Sequence, residues 1–248
     1  MKPGILIIPL FIVSCALVPV SLGPKADSLK RLIMHCASDM ERAKKVIIER
    51  DIIKNLTHLQ SMDNGGKKYY LLEKEAITGM LHSVTKGAYA DILLVNRDGR
   101  VVYTLNSDEI FSRSVRQLNG TPLAECFENR QTAVLYSSAG KLPADPGKQC
   151  IAFSSPVSGG ATMPGMFIVI VDADRIRSLI GDEDVVLDSR GNYLLSPDTE
   201  KIRTRYEYFE KIKIPSDGGG IFTGPAGVRI AYRMVNYGAL SWILVSVR

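Results

Sequence analysis

The sequence predicts an α+β chain: a long N-terminal helix followed by two tandem modules, each built on an antiparallel sheet. Two observations carry this prediction. The stretch Ala90 to Thr104, ADILLVNRDGRVVYT, reads as strand, tight turn and strand. Apolar and β-branched residues flank Asn96-Arg97-Asp98-Gly99, and the Asp-Gly pair supplies the positive φ that a short hairpin loop needs. The pattern returns at Asp184 to Ser196, DVVLDSRGNYLLS, with Asp188-Ser189-Arg190-Gly191 in the turn and the turn glycines, 99 and 191, 92 residues apart. A hairpin repeated at the spacing of a small domain points to two similar units. The second observation is an amphipathic helix ahead of both. The chain divides accordingly into residues 1–24, an export or anchor segment; 25–89, the N-terminal helices; 90–181, a first module; and 182–248, a second.

Composition narrows the function classes. With 248 residues, 46% hydrophobic and 23% charged, the chain can bury one large core or two modest ones and carries no mark of disorder. The net charge of +5 is spread along the sequence without a basic block or a basic stretch interleaved with aromatics, which argues against a nucleic-acid partner. Cys15, Cys36, Cys126 and Cys150 form no Cys-x-x-Cys, and His35, His58 and His82 are far apart on expected helices, so no zinc site or other metal site is expected. No phosphate-cradling glycine loop and no Gly-x-Ser-x-Gly elbow is present, so neither a cofactor nor an enzyme is expected.

Residues Gly4 to Gly23, GILIIPLFIVSCALVPVSLG, are uncharged and follow the single positive charge of Lys2. Two readings stay open. Ile12-Val13-Ser14-Cys15 resembles a bacterial lipobox, with Cys15 as the lipidated residue; alternatively the run is an uncleaved membrane helix. Either puts the bulk of the chain on the periplasmic or extracytoplasmic side of a cell membrane.

From Asp27 or Ser28 a long helix is expected to run to the stop at Asn64-Gly65-Gly66, with Leu29, Leu32, Ile33, Cys36, Met40, Ala43 and Ile47 on one stripe. That stripe suits packing on its own domain, and equally a homodimer through the helix. A second helix is expected over Tyr70 to Lys86. After the first hairpin come a short helix, Leu123 to Asn129; a strand, Ala133 to Ser137; a loop, Ser138 to Gly147; and the strands Cys150 to Val157 and Gly165 to Val171. Asp174 is the expected cap of a helix that follows. In the second module, Thr199 to Lys213 reads as helix and loop, and Ile221 to Thr223, Val228 to Val235 and Ala239 to Val247 as strands. Trp242, the single tryptophan, is expected in the core.

The long helix, the D-I-L-L-V-N-x-D-G-x-V-V-Y-T hairpin, P-L-A-E-C-F, C-I-A-F-S-S-P-V and G-M-F-I-V-I-V-D-A-D-R-I together resemble the double Cache domain, the extracytoplasmic PAS-like sensory region of bacterial chemotaxis receptors and sensor kinases. The resemblance covers most of Ser28 to Arg248. It implies two PAS-like modules, a membrane-distal one followed by a membrane-proximal one. It also implies a small-molecule ligand in the distal module, between its concave sheet face and the loops after its second and third strands, with the signal passed through the long helix and no catalysis. The ligand residues would be Asp172, which matches an acidic position of members that bind amino groups, and Tyr136, Ser137, Ser138 and Phe153. Asp172 also suits helix capping or an ion pair with Arg175 or Arg177. The amino-acid-binding branch uses an arginine, tryptophan and tyrosine set in the distal module, and no tryptophan precedes Trp242 here. Cys126 and Cys150 are either a disulfide across the distal module or two buried thiols. A separate signalling protein is a further expected partner. A different reading makes the chain an envelope lipoprotein or adaptor acting through protein contacts.

Overall fold

The computed structural model describes residues 22–62, 66–131, 135–142, 145–159, 162–213 and 218–247. The lipobox and Cys15 lie outside these residues. Among the described residues no helix is long and apolar enough to cross a membrane.

The spine is α1 (Leu22–Glu49), which buries Leu22, Ala26, Leu29, Leu32, Ile33, Cys36, Met40, Ala43 and Ile47. The expected single helix is broken: Asp51 adopts a left-handed φ of 50°, and α2 (Ile52–Ser61) starts in a new direction. The bend lets Ile52, Ile53 and Leu56 reach the core, where α2 packs on the first hairpin. A straight helix would carry them past the end of the sheet. Then α3 (Gly66–Thr85) lies against α1 and α2.

The first sheet comprises β1 (Asp91–Asn96), β2 (Val101–Thr104), β3 (Tyr136–Leu142), β4 (Asp145–Gly159) and β5 (Thr162–Asp172), ordered β2-β1-β5-β4-β3. The second repeats it with β6 (Val185–Asp188), β7 (Tyr193–Leu195), β8 (Gly219–Thr223), β9 (Arg229–Tyr237) and β10 (Leu240–Val247), ordered β7-β6-β10-β9-β8. Each is five-stranded and antiparallel. In the chain α4 (Pro122–Glu128), with Thr121 at its N-cap, lies between β2 and β3, and α5 (Ala173–Ile180) connects the two sheets.

The repeat reaches the level of single hydrogen bonds. Asn96 Oδ1 accepts from the Asp98 and Arg100 amides, and Asp188 Oδ1 from those of Arg190 and Asn192. Gly99 and Gly191 take φ of 87° and 84°, values only glycine adopts without strain.

One expectation is corrected. Ser138 to Gly147, expected as a loop because of its small residues, is mostly strand: β3 pairs with β4 from Tyr136↔Ser154 to Leu142↔Asp145. Pairing with a long neighbour overrides a weak local preference. The stripe on α1 is spent within the chain, where it joins one face of both sheets in a continuous core that includes Leu94, Phe153 and Phe167 of the first sheet and Val186, Trp242 and Leu244 of the second. Each sheet's other face has a core of its own.

Cys126 and Cys150 form no disulfide. Both thiols sit in the apolar layer between α4 and the first sheet, where they pack as small hydrophobes. Burial pushes the Cys126 thiol up to about 12, and burial likewise pushes Cys36 up to about 12. Ellman's reagent is therefore expected to leave Cys36, Cys126 and Cys150 unlabelled in the native protein and to label all three on unfolding without reductant. Recovery of Cys36 alone would show that the other two are bonded.

Candidate functional site

On the first sheet's second face, α4 lays Leu123, Cys126 and Phe127 over Leu93, Val95, Ala152, Met166, Ile168 and Ile170. The centre of the expected pocket is thus occupied by side chains, and open volume lies at the β3 edge instead. There the two modules flank an open cavity of about 350 Å3 whose lining includes Glu125, Tyr136, Ser138, Asp188, Asn192 and Arg203.

Alternation along the strands sorts the five expected ligand residues. Successive residues of β3 face opposite ways, so Tyr136 and Ser138 face the cavity from the α4 side while Ser137 turns toward the spine. Ser137 borders the cavity, but its hydroxyl accepts a hydrogen bond from Trp242 Nε1 at 3.0 Å. Phe153, paired with Ser137 in the register, meets the Trp242 ring at 5.5 Å and is core. Asp172 is taken up at the end of β5: it caps α5, accepting from the Asp174 amide at 3.0 Å, and pairs with Lys148. The cap is therefore Asp172, two residues before the expected Asp174. Asp172→Ala should lower stability by about 1 kcal/mol, the usual value of an N-cap, read as a shifted urea midpoint with no change in ligand response.

The residues that dominate the cavity were not singled out by the sequence. Glu125, on α4, accepts from the Ser138 hydroxyl and forms an ion pair with Arg203 of the second module. Arg203 Nη1 also donates to the Gly120 carbonyl at 2.5 Å. The backbone explains this reach. Arg203 has a φ of 71° and Ser112, its counterpart in the first module, 66°; each returns its amide to the edge strand at 2.9 Å, Ser112 to Val101 and Arg203 to Tyr193. A left-handed arginine costs on the order of 1 kcal/mol, and here it aims the guanidinium across the module boundary. Burial lowers the Arg203 pKa from its ordinary value, and burial raises that of the Tyr136 phenol. Asp188 is internally satisfied by the Arg190 and Asn192 amides and by the Asn192 side chain. Glu125 and Arg203 are thus the opposite charges that a bound molecule can address.

The junction around the cavity is stitched together. Gln149 Nε2 donates to the Leu194 carbonyl at 3.1 Å, and Arg177 Nη2 donates to Gln149 Oε1 at 2.6 Å and to the Ser196 carbonyl at 3.2 Å. Lys25 at the start of α1 pairs with Asp184 at 2.6 Å, tying the spine to the entry of the second module. A larger cleft of about 1050 Å3 opens between the α1–α2 bend and the turn of the first hairpin, lined by residues including Asp51, Lys54, His58, Arg97 and Asp98. Among the described residues no group of three His, Cys, Asp or Glu is gathered that could hold a metal.

No protein-family profile and no curated protein sequence matches the chain. Solved structures do match. An extracellular ligand-binding receptor from Desulfohalobium retbaense aligns over 92% of this chain with a TM-score of 0.63 at 14% identity. The chain spans 39% of that receptor's length. The ligand-binding domain of the Pseudomonas fluorescens chemoreceptor CtaA, in complex with L-isoleucine, aligns over 90% of this chain and 87% of its own, with a TM-score of 0.59 at 10% identity. That of the Pseudomonas aeruginosa amino acid chemoreceptor PctB, in complex with L-Gln, aligns over 86% and 88%, with a TM-score of 0.51 at 14% identity. These likenesses, which run along nearly the whole chain, show that the protein has the α+β fold of these ligand-binding domains, with its own two antiparallel five-stranded sheets set on one helical spine.

Proposed function

We propose that the chain is an extracytoplasmic small-molecule-sensing domain of chemoreceptor type, with its ligand bound at the β3 edge of the distal module and the signal passed through α1. The observation that carries this reading is the Glu125–Arg203 pair at the lip of the cavity between the modules. The ligand class that fits is a small zwitterion: its ammonium takes Glu125 and its carboxylate takes Arg203, with Tyr136 and Ser138 beside them. The amino acids bound by CtaA and PctB belong to this class. A ligand that replaces the direct ion pair changes the separation of the two modules, and α1, packed on both sheets, carries the change to its N-terminal end.

The proposal includes residues 1–24 as a lipidated or uncleaved membrane attachment and the division near residue 181 into distal and proximal modules. It also includes a separate or contiguous signalling region, and pairing of two copies along the outward side of α1, where Met34 and Ile48 are exposed. The test is a thermal-shift screen of residues 25–248 against amino acids, organic acids and amines. A saturating ligand at about a hundred times its Kd should stabilise by about 2.7 kcal/mol. A folded protein that no zwitterion stabilises sinks the reading.

A further inference from the structure

The second module differs from the first at the face turned away from the spine. In the first, α4 covers that face. In the second, the described segments crossing it are single helical turns, Thr199–Lys201 and Phe209–Lys211, and a cavity of about 420 Å3 remains. Its walls are aromatic. Tyr193 and Tyr206 stand edge to face at 5.6 Å, as do Tyr206 and Tyr208 at 5.6 Å, so three rings meet at nearly right angles. Val185 and Ile230 form part of the remaining wall. Glu207 lines the cavity and accepts a hydrogen bond from the Tyr193 hydroxyl at 2.7 Å.

Two further features point to an occupant. The Tyr206 hydroxyl is buried and has no hydrogen-bond partner among the described residues, and Tyr206 lines the cavity. The Lys201 ammonium sits 5.8 Å over the Tyr193 ring and 3.5 Å from Glu207 Oε1. A tethered cation therefore already rests where a ring face and a carboxylate attract positive charge, in a half-exposed ion pair of the kind that is worth little.

We propose that this cavity of the second module is a binding site for a small alkylammonium ion that carries one further hydrogen-bonding group. The ammonium displaces Lys201 from Glu207 and Tyr193, and the second group satisfies the Tyr206 hydroxyl. The site uses charged residues other than those of the Glu125–Arg203 cavity, and Tyr193 borders both.

The experiment is calorimetric titration of the purified chain with choline, tetramethylammonium and the neutral carbon isostere of choline. Choline is expected to bind, about tenfold more tightly than the neutral isostere. Glu207→Gln should weaken choline by about tenfold, and Lys201→Met should strengthen it by removing the competing ammonium. Tyr206→Phe, which deletes only the partnerless hydroxyl and so should fold normally, should abolish the preference for choline over tetramethylammonium. None of these variants should alter a response to zwitterions, whereas Glu125→Gln should alter that response alone. Absence of choline binding in both the folded wild type and Lys201→Met overturns the proposal, as does equal binding of the neutral isostere.

Discussion

Replacing Trp242 with alanine should destabilise the protein by about 3–5 kcal/mol, the cost of emptying a fully buried aromatic site. The indole is 0% exposed. It lies on the face of β10 turned toward the spine, against Phe153 of the first sheet, with its nitrogen bonded to Ser137. Alanine would lose the packing between the modules and strand the Ser137 hydroxyl in the same step. Trp242→Phe keeps most of the packing and should cost about 1–2 kcal/mol, close to the worth of the lost hydrogen bond and residual volume. Urea unfolding followed by circular dichroism measures both, because the substitution removes the chain's single tryptophan. A loss below about 1 kcal/mol for the alanine variant would mean that the modules do not share a core. In the wild type, the same indole is a built-in reporter. Ser137 borders the cavity between the modules, so a ligand bound there should shift Trp242 emission.

Arg203→Gly is the second large effect. Glycine accepts a φ of 71° without strain, so the loop should fold at least as well as in the wild type while the guanidinium is gone. Ligand affinity should fall about 10- to 100-fold, as expected when a charged hydrogen-bond partner worth about 1.5–3 kcal/mol is deleted at a partly exposed site. Glu125→Gln should lower it by a similar factor while its side-chain carbonyl keeps an acceptor for the Ser138 hydroxyl. The double variant should lose less than the sum of the two, since the charges act as one unit. Titration of each variant with the zwitterion found by thermal shift decides it; unchanged affinity in Arg203→Gly removes the cavity from the binding reaction.

How far these sites were visible before the structure depends on the range of the forces that make them. The hairpins were legible because Asn-Arg-Asp-Gly and Asp-Ser-Arg-Gly specify their turns within four residues, and their equal surroundings exposed the repeat. The short helix was legible from Thr121 and Pro122, a cap and a first-turn proline. The break at Asp51 was not, because residues 48–52 contain no glycine or proline and the bend is set by where Ile52, Ile53 and Leu56 find their core. That Ser137 points away from Tyr136 and Ser138 follows from strand alternation and was available from the pattern, once β3 was known to be a strand. Glu125 and Arg203 carried no local signal, since each looks like an ordinary surface charge until the two modules are brought together.

By itself, then, the sequence determined the α+β class, the two sheet units and the spine, which rest on local turn chemistry and short-range periodicity, while the resemblance to sensory domains was carried by its motifs. The tertiary structure alone decided that β10 places Trp242 between the sheets, that Cys126 and Cys150 remain thiols, that Asp172 caps a helix, and that the open volume lies between the modules and under the second sheet. The reason is physical: which face a strand buries, and which charges meet, is fixed by contacts between residues far apart in the chain, and only the folded packing supplies them.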